Sequence, residues 1–183
     1  MAVGHKWVYQ ANRGPDVIFE VVGKENVEGV ECYKVMRTIG DESTPFFVSL
    51  STEGLAIHKV GADLYDPPFL EFAFPFMPES RERVWVGSIG GRTYGIRSRN
   101  LGLETLPWPS GSASAVHVSE HMTTVLRKEG EWGTDQKVAP LGQTSFWIVR
   151  NLGVVKLSGK LHDPHNATQN EFEWTLKSFL KNR

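Results

Sequence analysis

The chain carries one pattern twice, and that repetition limits its fold more than any other feature. Trp7-Val8 leads through Glu25 and Gly29 to the run Cys32-Tyr33-Lys34-Val35. Trp85-Val86 leads at nearly the same spacing through Glu104 and Gly111 to Ala115-Val116-His117-Val118. Each copy then closes on an aromatic run and a glycine. In the first this is Phe46-Phe47-Val48 before Gly54-Leu55-Ala56, and in the second Phe146-Trp147-Ile148 before Gly153-Val154-Val155. Apolar and polar residues alternate with period two through both copies, as in half-buried strands. The clearest stretches are 16–22, 30–38, 46–50, 55–60, 93–99, 102–106, 113–126, 145–149, 154–157 and 172–176. No segment holds a helical apolar period with caps. The expected fold is mainly β with little helix: internally duplicated antiparallel meanders forming one strongly curved sheet or open half-barrel. A length of 183 residues suits a single domain, 1–183, with repeats at approximately 7–60 and 85–158, a connector at 61–84 and a final strand at approximately 170–180.

Charge narrows the function classes. The 20 basic residues are balanced by 21 acidic ones, for a net charge of -1. No basic surplus is present to neutralise a phosphate backbone, which argues against a nucleic-acid partner. No apolar run approaches the ~20 residues that a helical membrane span needs. The single cysteine, Cys32, excludes an internal disulfide and sits in an alternating strand pattern as a small buried hydrophobe. No signal peptide is visible at the start. A periplasmic or envelope location is expected if an export signal has been removed; otherwise the location is open.

The segment 66–78 stands apart. It holds Pro67, Pro68, Pro75 and Pro78 around Phe69, Phe72, Phe74, Phe76 and Met77. Proline confines such a stretch to an edge strand or a loop. Phe72, Phe74 and Phe76 are two apart and share a face in an extended chain. The segment is expected either to plug one end of the core or to form an apolar lid at the mouth of a ligand cavity. The candidate ligand-binding residues are Phe69, Phe72, Phe74, Phe76, Met77 and Trp108.

These residues carry a resemblance. The proline-bracketed segment followed by Trp85-Val86-Gly87, the stretch 104–118 with Pro107, Gly111 and Val118, and the closing run 146–156 with Gly153 and Lys156 resemble a group of uncharacterised bacterial envelope proteins. Those proteins resemble the lipoprotein-carrier (LolA/LolB-like) architecture, in which a curved antiparallel sheet forms a half-barrel around an apolar cavity. The resemblance implies a lipid or lipoprotein partner and brings no catalytic residues.

Chemistry is sparse. His162-Asp163-Pro164-His165 puts three potential ligands in four residues, in a turn-like stretch. His117 and His121 share a strand face, with Glu120 on the opposite one. Neither pair has an evident third ligand, so no metal site is expected. His58 has no partner near it in sequence. Gly153 to Gly159 lacks phosphate-loop spacing, and no Gly-x-Ser-x-Gly elbow is present. Carboxylates are scattered and mostly beside lysine or arginine, as on a solvated surface. The run Glu79-Ser80-Arg81-Glu82-Arg83 suggests an exposed loop. The expected function is non-catalytic binding of an apolar or lipid-like ligand or a protein segment in the bacterial envelope, with no cofactor. The rival readings are a metal-dependent hydrolase using the histidines and a structural interaction module with a closed core.

Overall fold

The computed structural model describes residues 1–74, 82–108, 111–126, 137–162 and 169–181. Twelve strands are formed among them: β1 (Lys6–Ala11), β2 (Val17–Val27), β3 (Val30–Ile39), β4 (Glu42–Leu50), β5 (Gly54–Val60), β6 (Asp63–Ala73), β7 (Glu82–Ile89), β8 (Arg92–Trp108), β9 (Gly111–Leu126), β10 (Lys137–Val149), β11 (Gly153–His162) and β12 (Gln169–Leu180). Each pairs antiparallel with its neighbours in sequence, and β1 pairs with β12. The strongly curved sheet expected from the alternation is therefore present, and it curls far enough to close into a barrel. Closure removes the two sheet edges that a half-barrel leaves open. No helix occurs among the described residues.

Two expectations need adjustment. The stretch 61–84 holds all of β6 and the start of β7. The strands expected at 93–99 and 102–106 form one element, β8, bent by a bulge between Asn100 and Gly102. Gly102 has φ +102 there, which favours glycine.

Alternation directs one side of each strand to the lumen. Tyr9, Val17, Val155 and Leu176 form one buried cluster; Val21, Val35 and Val48 form a second; Val118, Phe146 and Ile148 form a third. Burying a side chain of this size is worth about 1.5–3 kcal/mol. Contacts also cross between strands that are not neighbours. The Trp7 indole N–H donates to the Leu152 carbonyl at 2.9 Å, and the Tyr9 hydroxyl donates to the Val154 carbonyl at 2.8 Å. Phe72 of β6 meets Phe146 of β10 edge to face, with ring centroids 5.4 Å apart. Three strands separate those two along the wall, so the rings meet through the lumen and the barrel is flattened at that level.

Trp7 lies in β1 and Trp85 in β7; Gly54 opens β5 and Gly153 opens β11. Both pairs are offset by six strands, as two joined six-strand meanders would give, and a duplication is proposed on that offset.

Gly54 marks a close approach. Its φ is +148, and a Cβ there would run into the backbone carbonyl of Phe72. Gly54→Ala should therefore destabilise by at least about 2 kcal/mol, combining backbone strain with displacement of β6. At Gly29, with φ +86 and nothing within 4 Å of a built Cβ, alanine should cost only the strain, about 1 kcal/mol. Urea unfolding of both variants reads the difference.

Candidate functional site

The wall between β6 and β7 differs from the rest of the barrel. The β2–β3 ladder runs through ten register pairs, whereas β6 and β7 share two, Tyr65↔Ile89 and Asp66↔Ser88. The cause lies in β6. Its register with β5 jumps from Lys59↔Leu64 to Ile57↔Phe69, and the intervening Tyr65–Pro68 stretch turns to β7 instead. Pro67 and Pro68 have no N–H to give to a ladder. Beyond that point, side chains of β7 do what its backbone does not. The Trp85 indole N–H donates to the Pro67 carbonyl at 3.0 Å. The Arg83 guanidinium donates to the Leu70 carbonyl at 3.0 Å and the Glu71 carbonyl at 3.1 Å. Arg83, expected in an exposed loop, is half-buried and holds the seam together; residues 79–81 lie outside the described residues.

A second register jump in β6, Ala56↔Leu70 to Leu55↔Phe72, leaves Glu71 as the extra residue of a β-bulge. Bulges of this kind re-aim a side chain. On the neighbouring strands, Arg83 pairs with Ser98 and Ser98 with Glu120, which puts all three on one face in a single row. Val118, two residues from Glu120, belongs to the cluster that meets Phe72, so this row faces the lumen. Ser98 and Glu120 are buried, and the Ser98 hydroxyl donates to Glu120 Oε1 at 2.7 Å.

The electrostatics of this group follow from burial. Burial pushes the Glu120 carboxyl up to about 7, opposed by the Ser98 hydrogen bond and the Arg83 charge. Burial, and then the charge of Glu120, hold Glu71 well above the usual carboxylate range, again opposed by Arg83. Glu71 retains some accessible surface although its carboxyl is deeply embedded. Both facts fit a group facing the interior of the barrel rather than bulk water. Tyr65 is pushed up to about 12, by burial first and then by Glu71, Asp63, Tyr94 and Glu120. The arrangement is thus two carboxyls of raised proton affinity and one guanidinium beside an aromatic wall. Trp85 lies 5.6 Å from Phe69 and 6.0 Å from Tyr65 between ring centroids.

The expected site residues are distributed unevenly around it. Phe69 is buried against Trp85, and Phe72 flanks Glu71 and touches Phe146. Phe74 is 37% exposed at the end of the described segment. Phe76 and Met77 lie outside the described residues. Trp108 is half-buried and packs toward the Tyr9 cluster, in another part of the barrel. Glu71 and Glu120 correct the expectation that the carboxylates are solvated. The signal was present for Glu120: it alternates with Val116 and Val118 and opposes His117 and His121. Glu71 stands alone in an apolar run, and nothing in that run foretells the bulge.

His58, His117 and His121 stay apart from this group, and Asp163 and His165 of the 162–165 cluster lie outside the described residues. His117 Nδ1 lies 3.3 Å from Glu104, its ring stacks on Trp147 at 4.4 Å, and the Trp147 indole N–H donates to the same Glu104 at 2.7 Å. Burial lowers the pKa of His117 despite Glu104, and its Nε2 is buried without a partner. His121 is exposed. His58 is buried and does have a partner, across the β4–β5 hairpin: the Ser49 hydroxyl, 2.8 Å from Nε2. Among the described residues, no three His, Cys, Asp or Glu side chains stand close enough to hold a metal ion. A groove of about 310 Å³ lies across β10–β12, lined by Gln143, Ser145, Ser158, Lys160, Glu171 and Phe172 among others. Its lining mixes polar and apolar surface and includes neither Glu71 nor Glu120.

The fold has known counterparts. Similar solved structures include a supposed exported protein with a YmcC-like fold from Bacteroides fragilis, at TM-score 0.53 and 13% identity, covering 98% of this chain and 97% of that one. They also include a supposed lipoprotein from Parabacteroides distasonis, at TM-score 0.45 and 11% identity, covering 98% and 96%. The hypothetical lipoprotein YmcC from Escherichia coli matches at TM-score 0.44 and 15% identity, covering 99% and 89%. No protein-family model and no curated protein matches the chain. The first of these likenesses shows a YmcC-like fold; the lipoprotein-carrier architecture is not among the three structures.

The raised carboxyls make stability depend on pH. For each, the folded-state pKa exceeds the unfolded value of 4.5, so protons bind the folded form more tightly. Glu120's contribution is complete below about pH 4.5 and is lost as pH climbs through about 7. Glu120→Gln, which keeps an acceptor for Ser98, should match the wild type in stability near pH 4. Above pH 7 it should exceed the wild type by about 1–3 kcal/mol, at ~1.4 kcal/mol per pKa unit. Urea midpoints measured across this range test the sign.

Proposed function

We propose that the protein is a non-catalytic envelope component that binds an apolar or lipid-like ligand at the β6–β7 wall. One observation carries this reading: an aromatic wall of Phe69, Trp85 and Phe72 stands beside buried carboxyls at the seam with the fewest ladder pairs among the described residues. Apolar chain would lie against the rings. A carboxyl held neutral is a hydrogen-bond donor, so Glu71 and Glu120 suit the oxygen atoms of a polar end group. The envelope assignment draws on the YmcC-like fold, which the Bacteroides fragilis protein shares along with its supposed export. Phe74 belongs to the same proposed mouth, on its exposure at the end of β6.

The packing of Phe72 on Phe146 favours a second reading, a structural module with a filled core. The two readings part experimentally. Under the ligand reading, the wild type binds the apolar dye N-phenyl-1-naphthylamine with a blue-shifted emission. Phe74→Ala should weaken that binding and cost clearly less stability than Phe72→Ala. Phe72→Ala should cost about 3–5 kcal/mol under either reading. No dye binding by the wild type would remove the ligand reading and leave the filled module.

A further inference from the structure

From the stretch of β7 that has no ladder partner toward β6 among the described residues, we infer a second binding function: the outer side of the β6–β7 seam accepts an extended segment of another polypeptide as an added strand. The β7–β8 hairpin turns at Gly90-Gly91, both with positive φ, and Ile89 pairs with Arg92 across this two-residue loop. Such a loop makes Ile89↔Arg92 a hydrogen-bonded pair. The register continues without a shift to Glu82↔Arg99. By alternation, Gly87, Trp85 and Arg83 bond to β8, whereas Ser88, Val86, Val84 and Glu82 turn their N–H and C=O groups toward β6. Ser88 meets Asp66 there. Among the described residues, Val84 and Val86 have no ladder partner on that side.

The β6 side of the seam is already provided for. Its Pro67, Leu70 and Glu71 carbonyls take their hydrogen bonds from Trp85 and Arg83 side chains. Among the described residues, no comparable side-chain hydrogen bond reaches the Val84 or Val86 backbone. Proteins commonly protect an open edge with lysine, proline or a bulge. Here the side chains at the two unpaired positions are Val84 and Val86, 62% and 64% exposed. Alternating donors and acceptors flanked by apolar side chains match another extended backbone, and they do not match a lipid or a small anion. The occupant is therefore a β-strand peptide with β-branched residues at alternate positions. On the outer face at the Glu82 end, Arg97 and Arg99 stand against the single carboxylate of Glu82, which already pairs with Arg97 at 3.3 Å. Among the described residues this leaves one positive charge in excess, which favours an acidic residue in the added strand at that end.

This inference goes beyond the ligand reading and does not depend on dye uptake. A fluorescein-labelled peptide of alternating valine and threonine with one terminal aspartate is the probe, read by fluorescence anisotropy on the full chain. Its match is the same peptide N-methylated at alternate residues on the pairing edge. The wild type should bind the first at least about tenfold more tightly than the second. Val86→Pro removes an N–H that the edge leaves unused. It should keep the wild-type urea midpoint and lose about tenfold or more in peptide affinity. Val84→Lys combined with Val86→Lys keeps every backbone group and should also lose the peptide. Three results would overturn the inference: equal affinity for the two peptides, no binding of either, or a Val86→Pro chain that fails to fold while the lysine variant still binds the peptide. A wild-type dimer that the peptide does not compete apart would assign the edge to a second copy and overturn it as well.

Discussion

A buried backbone group needs a partner, and in this chain nearly all of those partners come from the adjacent strand. That requirement, together with alternation, shapes the molecule. Twelve antiparallel strands leave two edges, and pairing β1 with β12 removes both. The lumen then fills from the alternate residues, with Trp7 and Tyr9 tying β1 to the β10–β11 turn through their polar ends. A barrel of this kind is as sound as its weakest seam. Here the weak seam lies at β6–β7, where prolines and two register jumps divert β6 from its neighbours.

The unusual chemistry of the protein gathers at that seam. A bulge turns Glu71 inward, register sets Glu120 in line with Ser98 and Arg83, and burial keeps both carboxyls protonated at pH values where carboxylates are ordinarily charged. Arg83 serves the seam and the acids together: its N–H groups hold two β6 carbonyls while its charge draws both carboxyls down. Two neutralisable acids in an apolar setting lower stability as pH rises, and shifted carboxyls of that kind mark a candidate functional site. The outer side of the same seam presents Val84 and Val86.

Much of the fold was legible in the sequence, because period-two alternation and glycine turns are local signals. Trp7 and Trp85 fall six strands apart, as do Gly54 and Gly153, the offset on which the duplication is proposed. Closure was not legible, since whether a curved sheet meets itself depends on accumulated twist and shear that no single stretch encodes. The aromatic segment could be singled out as unusual, and Phe69 and Phe72 do lie beside the carboxyl pair. Glu71 and Arg83 could not. A bulge alters which side a residue faces, and Arg83 sits in a charged run that resembles a solvated loop. Glu120 was half legible: its face was known to oppose His117, but that this face is the lumen required the closed barrel.

Residue-resolved amide hydrogen exchange tests the central claim, that among the described residues β7 has no ladder partner on its β6 side before Ser88. The account predicts that the Val84 and Val86 amides exchange nearly as fast as unprotected ones. Their neighbours Trp85 and Gly87, bonded to β8, should exchange slowly, as should the Val21 and Val35 amides of the β2–β3 ladder. Equal protection of Val84, Trp85 and Val86 would contradict it, because the seam would then be an ordinary, fully paired part of the barrel.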